Sequence, residues 1–103
     1  MVEMTTPLRK EARGRNCMVR IPGVCNGNSE TVVLAHLNSK RLFGVGTGQK
    51  VPDMFGAWAC SSCHDVLDRR VMAATVHPVW ELSIMFYEGV FRTQNELLKE
   101  GKI

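Results

Sequence analysis

Cysteines 17, 25, 60 and 63 fall into two pairs, Cys17-x7-Cys25 and Cys60-x2-Cys63, in a chain of 103 residues. Two short loops that each offer two thiolates are what a tetrahedral Zn²⁺ site needs, with Zn–S bonds of about 2.3 Å. The wider interval of the first pair can close around the Pro22-Gly23 turn it contains. Spacing leaves other readings open: four buried thiols, or a disulfide. In a reducing compartment, ligands are the better reading. Cys60-x-x-Cys63-His64 also has the form of a c-type haem attachment, but that requires export and leaves Cys17 and Cys25 unused. A thioredoxin-like redox pair would need a βαβ setting, which the surrounding pattern lacks.

Two histidines are left for chemistry. His36 ends the apolar run Thr31-Val-Val-Leu-Ala-His36, and His64 follows Cys63 directly. A neutral imidazole at a strand end can take a proton from water while a backbone carbonyl holds its other nitrogen. A structural histidine is the plainer reading of His36. For His64 the plain readings are a non-binding neighbour of the zinc, or a substitute for one cysteine. Asp68 lies four residues beyond His64 on the same helical face, where it can share an ion or orient the ring. Asp65 faces elsewhere and favours a helix N-terminus electrostatically.

These residues need positioning elements. Thr6-Pro7 predicts the cap and first residue of a short helix ending near Gly14, after a loose tail over residues 1–6. Cys17 to Cys25 reads as a strand and then a turn; Thr31–His36 and Met54–Ala59 read as two further strands. Residues 38–53 hold Gly44, Gly46, Gly48 and Pro52 and read as a long loop. Gly44-Val-Gly-Thr-Gly48 lacks the Gly-Lys-Ser/Thr ending and the βα context of a phosphate loop. A helix is expected from about Ser62 to Ala74, and a longer one over about 75–100, started by Pro78. Along that last helix Trp80, Ile84, Tyr87, Phe91 and Leu98 recur at helical spacing, with Val90 and Leu97 beside them. The stripe predicts a core face or a homodimer seam.

Charge is uneven. Residues 1–50 carry eight Lys or Arg against three Glu, and residues 51–103 carry five basic against seven acidic groups. The basic half is a candidate phosphate-facing surface, with Arg9, Arg13, Arg15, Lys40, Arg41 and Lys50 as contacts; scattered solvated charges are the bland alternative. One zinc-stapled domain over 1–103 is the expectation at this length. No secretory or membrane-spanning run stands out, which predicts a cytoplasmic protein without membrane partners.

The constellation resembles the His-Me finger nucleases, also called HNH or ββα-metal nucleases, with a zinc knuckle, over roughly Cys17 to Arg70. That resemblance implies an α+β, zinc-stapled ββα-metal fold with a short N-terminal and a long C-terminal helix. It implies His36 as general base, and His64 as ligand of a catalytic Mg²⁺ or Mn²⁺ that stabilises the leaving 3′-oxygen. Two positions depart from the pattern. Ala35 stands where many members carry a ligand Asp, and Asp53 lies nearest the place of the central Asn. Asp53 would brace the loop or contribute the missing carboxylate. A closer similarity covers Arg-Lys-x-Ala-Arg-Gly-Arg-x-Cys (9–17), Val-Arg-Ile-Pro-Gly-Val-Cys-Asn-Gly-Asn (19–28), Leu-Ala-His (34–36) and Ala-Cys-Ser-x-Cys-His-Asp (59–65). These strings resemble the YbcO-like family of prophage-encoded nucleases, which implies a small bacterial or phage protein.

The sequence therefore predicts a metal-dependent endonuclease acting on DNA, with RNA or branched DNA as other substrates, in phage or prophage DNA metabolism or recombination. Its catalytic residues would be His36, His64 and Asp53. Structural Zn²⁺ would sit on Cys17, Cys25, Cys60 and Cys63, and the catalytic ion on His64 and Asp68. The competing function is a non-catalytic zinc module that binds nucleic acid or protein on a nuclease-like scaffold, which Ala35 favours.

Overall fold

A computed structural model describes residues 5–36, 52–68 and 76–103, with side chains from Leu8 onward in the first segment. Helix α1 (Thr5–Lys10) is followed by a single 3-10 turn, Ser29–Thr31, and strand β1 (Val33–Ala35). A second 3-10 turn, Asp53–Phe55, leads into strand β2 (Ala57–Ala59), helix α2 (Ser61–Leu67) and helix α3 (Val79–Lys99). The architecture is α+β: a two-stranded sheet with a long C-terminal helix. No described helix is long and apolar enough to cross a membrane.

β1 and β2 pair antiparallel in the register Val33↔Ala59, Leu34↔Trp58 and Ala35↔Ala57. Both strands are shorter than expected, because each is preceded by a 3-10 turn. Where β2 turns away from β1, its backbone is satisfied by two other segments. The Met18 N–H donates to the Trp58 carbonyl at 2.7 Å, and the Trp58 N–H donates to Thr93 Oγ1 at 3.0 Å. Unpaired buried backbone groups are costly, so these two bonds set how the Cys17–Ile21 segment and α3 approach the sheet.

Residues 17–21 form a bent segment and not the expected strand. Arg20 lies at φ 57°, in the left-handed region that disfavours a side chain and breaks extended pairing. The following turn is as expected: Val24 and Cys25 N–H groups both donate to the Ile21 carbonyl, at 3.0 and 2.9 Å, with Gly23 at φ 77°. At the N-terminus α1 begins at Thr5. Turns carry the chain on to Gly14, where φ is 75°.

The core gathers Trp58, Ile21, Val19, Thr93, Cys60 and Cys63 as its largest fully buried side chains. α3 joins it through Phe86, Gly89, Val90, Thr93 and Leu97. The core reading of the other stripe is overturned: Trp80 is 64% exposed, Phe91 67% and Leu98 61%, with Ile84 and Tyr87 also exposed. Size decides the phase. At Gly89 an added Cβ would come within 2.9 Å of Val19 Cγ2 and 3.2 Å of the Met18 carbonyl oxygen. Where that face meets the Cys17–Ile21 segment so closely, only a residue as small as Gly89 fits.

Candidate metal centre and flanking histidines

The four cysteine sulfurs converge. Cys17, Cys25, Cys60 and Cys63 present ligand atoms all within 4.8 Å of one another, and none is in a disulfide. The Cys25 and Cys60 sulfurs are 3.9 Å apart. A regular tetrahedron with Zn–S bonds of about 2.3 Å has S···S edges of about 3.8 Å. Cys17 and Cys25 come from either side of the Pro22-Gly23 turn. Cys60 caps α2, and Cys63 lies in its first turn.

The backbone around the sulfurs suits thiolates. The Arg20 N–H points at Cys17 Sγ, and the Asn26 and Cys63 N–H groups point at Cys60 Sγ, each at 3.5 Å. Donors aimed at sulfur favour its charged form. The Cys17 thiol is drawn down to about 4, first by the hydrogen bond with Cys63 and then, against burial, by the Arg20 N–H. That same bond keeps the proton on Cys63, whose thiol is pushed far up with help from burial, while burial raises Cys25. One thiolate thus forms at its neighbours' expense, and a bound cation removes that competition. The donor set fits a thiolate-bound metal such as zinc.

Asn26 makes a further tie that the sequence did not single out. Besides its N–H, its side-chain amide donates to Ser61 Oγ at 3.1 Å and Ser62 Oγ at 3.0 Å. It ties the loop after Cys25 to the start of α2. Thr31 Oγ1 adds a bond from the Ser61 N–H at 3.1 Å.

His36 follows β1, and its Nε2 is 2.6 Å from Asp53 Oδ1. Asp53 opens the 3-10 turn before β2, and its side chain is only 3% exposed. α1 packs against that turn. This brings the Arg9 guanidinium to 3.9 Å from the same Asp53 oxygen, with the arginine side chain half exposed. The partner of the ring is thus a carboxylate, where a backbone carbonyl was expected. Ala35 is buried in β1.

His64 Nε2 lies 3.2 Å from Asp68 Oδ2, one helical turn on. Among the described residues only the four cysteines form a group of three or more candidate ligands, so His64 and Asp68 offer two donors and no closed shell. A hard ion such as Mg²⁺ is commonly held by one or two protein groups plus water and phosphate oxygens.

The basic residues divide. Arg9 and Arg13 are exposed. Arg15 is engaged: its two terminal nitrogens meet Glu100 at 2.6 Å each, one of them also meets Glu11 at 2.8 Å, and the guanidinium carbon sits 4.5 Å from the Trp58 ring centroid. Lys40, Arg41 and Lys50 lie outside the described residues, as do most of the 38–53 loop and the segment after Asp68 to residue 75.

With this geometry in view, comparison with known proteins is decisive. The family model described as "Putative nuclease YbcO" matches residues 6–102. The chain belongs to the YbcO family. It is similar to "Putative nuclease YbcO" of Escherichia coli (strain K12), 55% identical over 97 residues, covering 93% of this chain and 95% of that protein. "Putative nuclease ybcO" of Enterobacteria phage 82 is similar to the same extent. Among solved structures, "Structure of a putative bacteriophage protein from Escherichia coli str. K-12 substr. MG1655" aligns with a TM-score of 0.74 at 46% identity, covering 92% of this chain and all of that one. The expectation of a YbcO-like chain is met, and its relatives carry a nuclease name in bacterial and phage settings.

Proposed function

We propose that the chain is a metal-dependent endonuclease of the HNH type that hydrolyses DNA phosphodiester bonds in phage or prophage DNA metabolism. The observation that carries this reading is the pairing of His36 with the buried Asp53, beside the exposed cation of Arg9. A histidine held by one nitrogen at a strand end is equipped to take a proton from water with the other. The hydroxide so formed would attack phosphorus in line with the 3′-oxygen, which would leave and take a proton from solvent water, giving 5′-phosphate and 3′-hydroxyl ends. Arg9 and Arg13 would hold flanking phosphates, positioning the strand without reading its sequence.

Cys17, Cys25, Cys60 and Cys63 would hold a structural Zn²⁺ that ties the Cys17–Cys25 loop to α2. His64 and Asp68 would hold Mg²⁺ or Mn²⁺ together with a phosphate oxygen. When bound there, such an ion supplies positive charge to the departing 3′-oxygen. The nuclease naming of the relatives supports a nucleic-acid substrate, and Ala35, standing where a ligand Asp is common, favours the rival, a zinc module that binds without cutting.

The test is cleavage of plasmid and single-stranded DNA with added Mg²⁺ or Mn²⁺. Wild type should cut, His36→Ala should not, and both should retain DNA binding and one zinc per chain. His64→Ala should lose the response to added Mg²⁺. Tight DNA binding by a wild type that cuts no substrate with any divalent ion would establish the non-catalytic module.

A further inference from the structure

The geometry points to Asp53 as a positioning residue that holds the proton on Nε2 of His36, so that the ring presents the lone pair of Nδ1. The catalytic arm of this inference rests on the endonuclease reading; the state of the ring does not.

A neutral imidazole carries one N–H and one lone pair, and the partner of either nitrogen decides which is which. A carboxylate only accepts. With Asp53 Oδ1 at 2.6 Å from Nε2, that nitrogen is the donor, and Nδ1 is left with its lone pair. The carboxylate is itself held in place. The turn that carries it is closed by the Phe55 N–H donating to the Pro52 carbonyl at 3.1 Å and the Gly56 N–H donating to the Asp53 carbonyl at 2.9 Å. Gly56 leaves no freedom behind it, since a Cβ there would meet Leu34 Cδ1 at 2.8 Å.

Two observations separate this role from the alternatives read in the sequence. The side chain of Asp53 is 3% exposed and its Oδ1 is already taken by His36, a poor setting for a ligand to a hydrated ion. Among the described residues the other oxygen, Oδ2, is buried without a hydrogen-bond partner. An unpaired buried carboxylate oxygen is costly, and a group kept at a cost calls for a role beyond packing. The Arg9 guanidinium, 3.9 Å from Oδ1, offsets the charge without forming a direct hydrogen bond. The fold tolerates a cost at Asp53, and what that cost secures is the state of the histidine ring.

The experiment reads the ring directly. Zinc-loaded protein labelled with ¹⁵N at histidine is examined by long-range ¹H–¹⁵N correlation at about pH 8, above the ordinary range of imidazole titration. His36 should show a protonated Nε2 and an unprotonated Nδ1, with the Nε2 proton far downfield and protected from solvent exchange. Asp53→Ala should abolish that protected proton. Asp53→Asn, which keeps the shape without the charge, should move it upfield and leave the melting temperature within a few degrees of wild type. On DNA, Asp53→Asn should lower kcat by about 10- to 100-fold with KM unchanged, as for other residues that orient a functional histidine. An unprotonated Nε2 in the wild type, or a protected proton that survives Asp53→Ala, would overturn the assignment. If the wild type cuts nothing, the endonuclease reading falls, and the ring spectra still decide the role of Asp53.

Discussion

Arg13 and Arg15 are two residues apart and do different work. Arg13 is exposed, whereas Arg15 grips Glu100 and Glu11 and stacks over Trp58, tying the segment after α1 to the end of the chain. The bond to Arg15, with Lys102 adding to it, holds Glu100 down to about 2. Replacing Arg13 by Gln should therefore leave thermal melting unchanged and flatten the dependence of log Kd on log salt by about one unit, for the one lost phosphate contact. Arg15→Gln should instead lower the melting temperature by a few degrees and leave that slope alone, since it removes the stacked cation and its fork. Filter binding over a salt series, beside thermal denaturation, separates the two. At this scale the sequence was legible where chemistry depends on spacing. The four cysteines could be grouped because ligands to one ion must recur in short loops. Arg15 could not be told from Arg13, because its partner Glu100 lies 85 residues away. Asp53 could be singled out by position, but its burial against His36 depends on α1 packing on the turn.

At the scale of elements, α3 shows what periodicity leaves open. Both of its apolar stripes repeat at helical spacing, and the one with the larger aromatics lies in solvent. A repeat fixes the existence of a face, while the partner's shape selects which face is used. Here the partner includes the bent segment before Ile21, which reaches α3 at Gly89. Gly89→Ala should destabilise the fold by up to about 2 kcal/mol, because overpacking of about 1–3 kcal/mol is set against a gain of about 1 kcal/mol in helix propensity. Denaturant unfolding measures it. The same variant should weaken metal retention against a chelator, since Val19 and Met18 must move and Cys17 is their neighbour. Phe91→Ala, on the exposed stripe, is the control and should change monomer stability little.

At the scale of the whole molecule, His77 joins the start of α3 to the cysteine turn. Its ring lies between Glu81 and the Pro22 carbonyl, which accepts from Nε2 at 3.1 Å. Acceptors on both nitrogens favour the doubly protonated ring, so its pKa is raised, by Glu81 first and the Pro22 carbonyl second. The sign follows from linkage. A group with a raised folded pKa stabilises fully below its unfolded value of about 6.5, and that contribution is lost as pH rises through the folded value. Melting temperature should fall as pH climbs above about 6.5, and His77→Gln should flatten that fall; the effect is modest because the pair is partly exposed. The α+β class and the order of the helices and the two paired strands were readable in advance, because capping residues, β-branched runs and glycines act locally; the strand expected at Cys17 was not borne out. This tie across 55 residues was not readable.

The two cysteine pairs differ in how a chain could assemble them. Cys60 and Cys63 meet within one turn of helix, and Cys17 and Cys25 across one reverse turn, but bringing Cys25 to Cys60 closes 35 residues of chain. That closure costs about 3 kcal/mol of entropy in its length-dependent part. Each pair can capture an ion long before the two pairs find each other. With one zinc per chain, the half-filled sites must share and the loop closes. With zinc in large excess, both pairs load separately, and one ion has to leave before the four thiolates can meet. Refolding monitored by tryptophan fluorescence should be fastest near equimolar zinc and slow again as the metal is raised, with a chelator pulse restoring the faster phase.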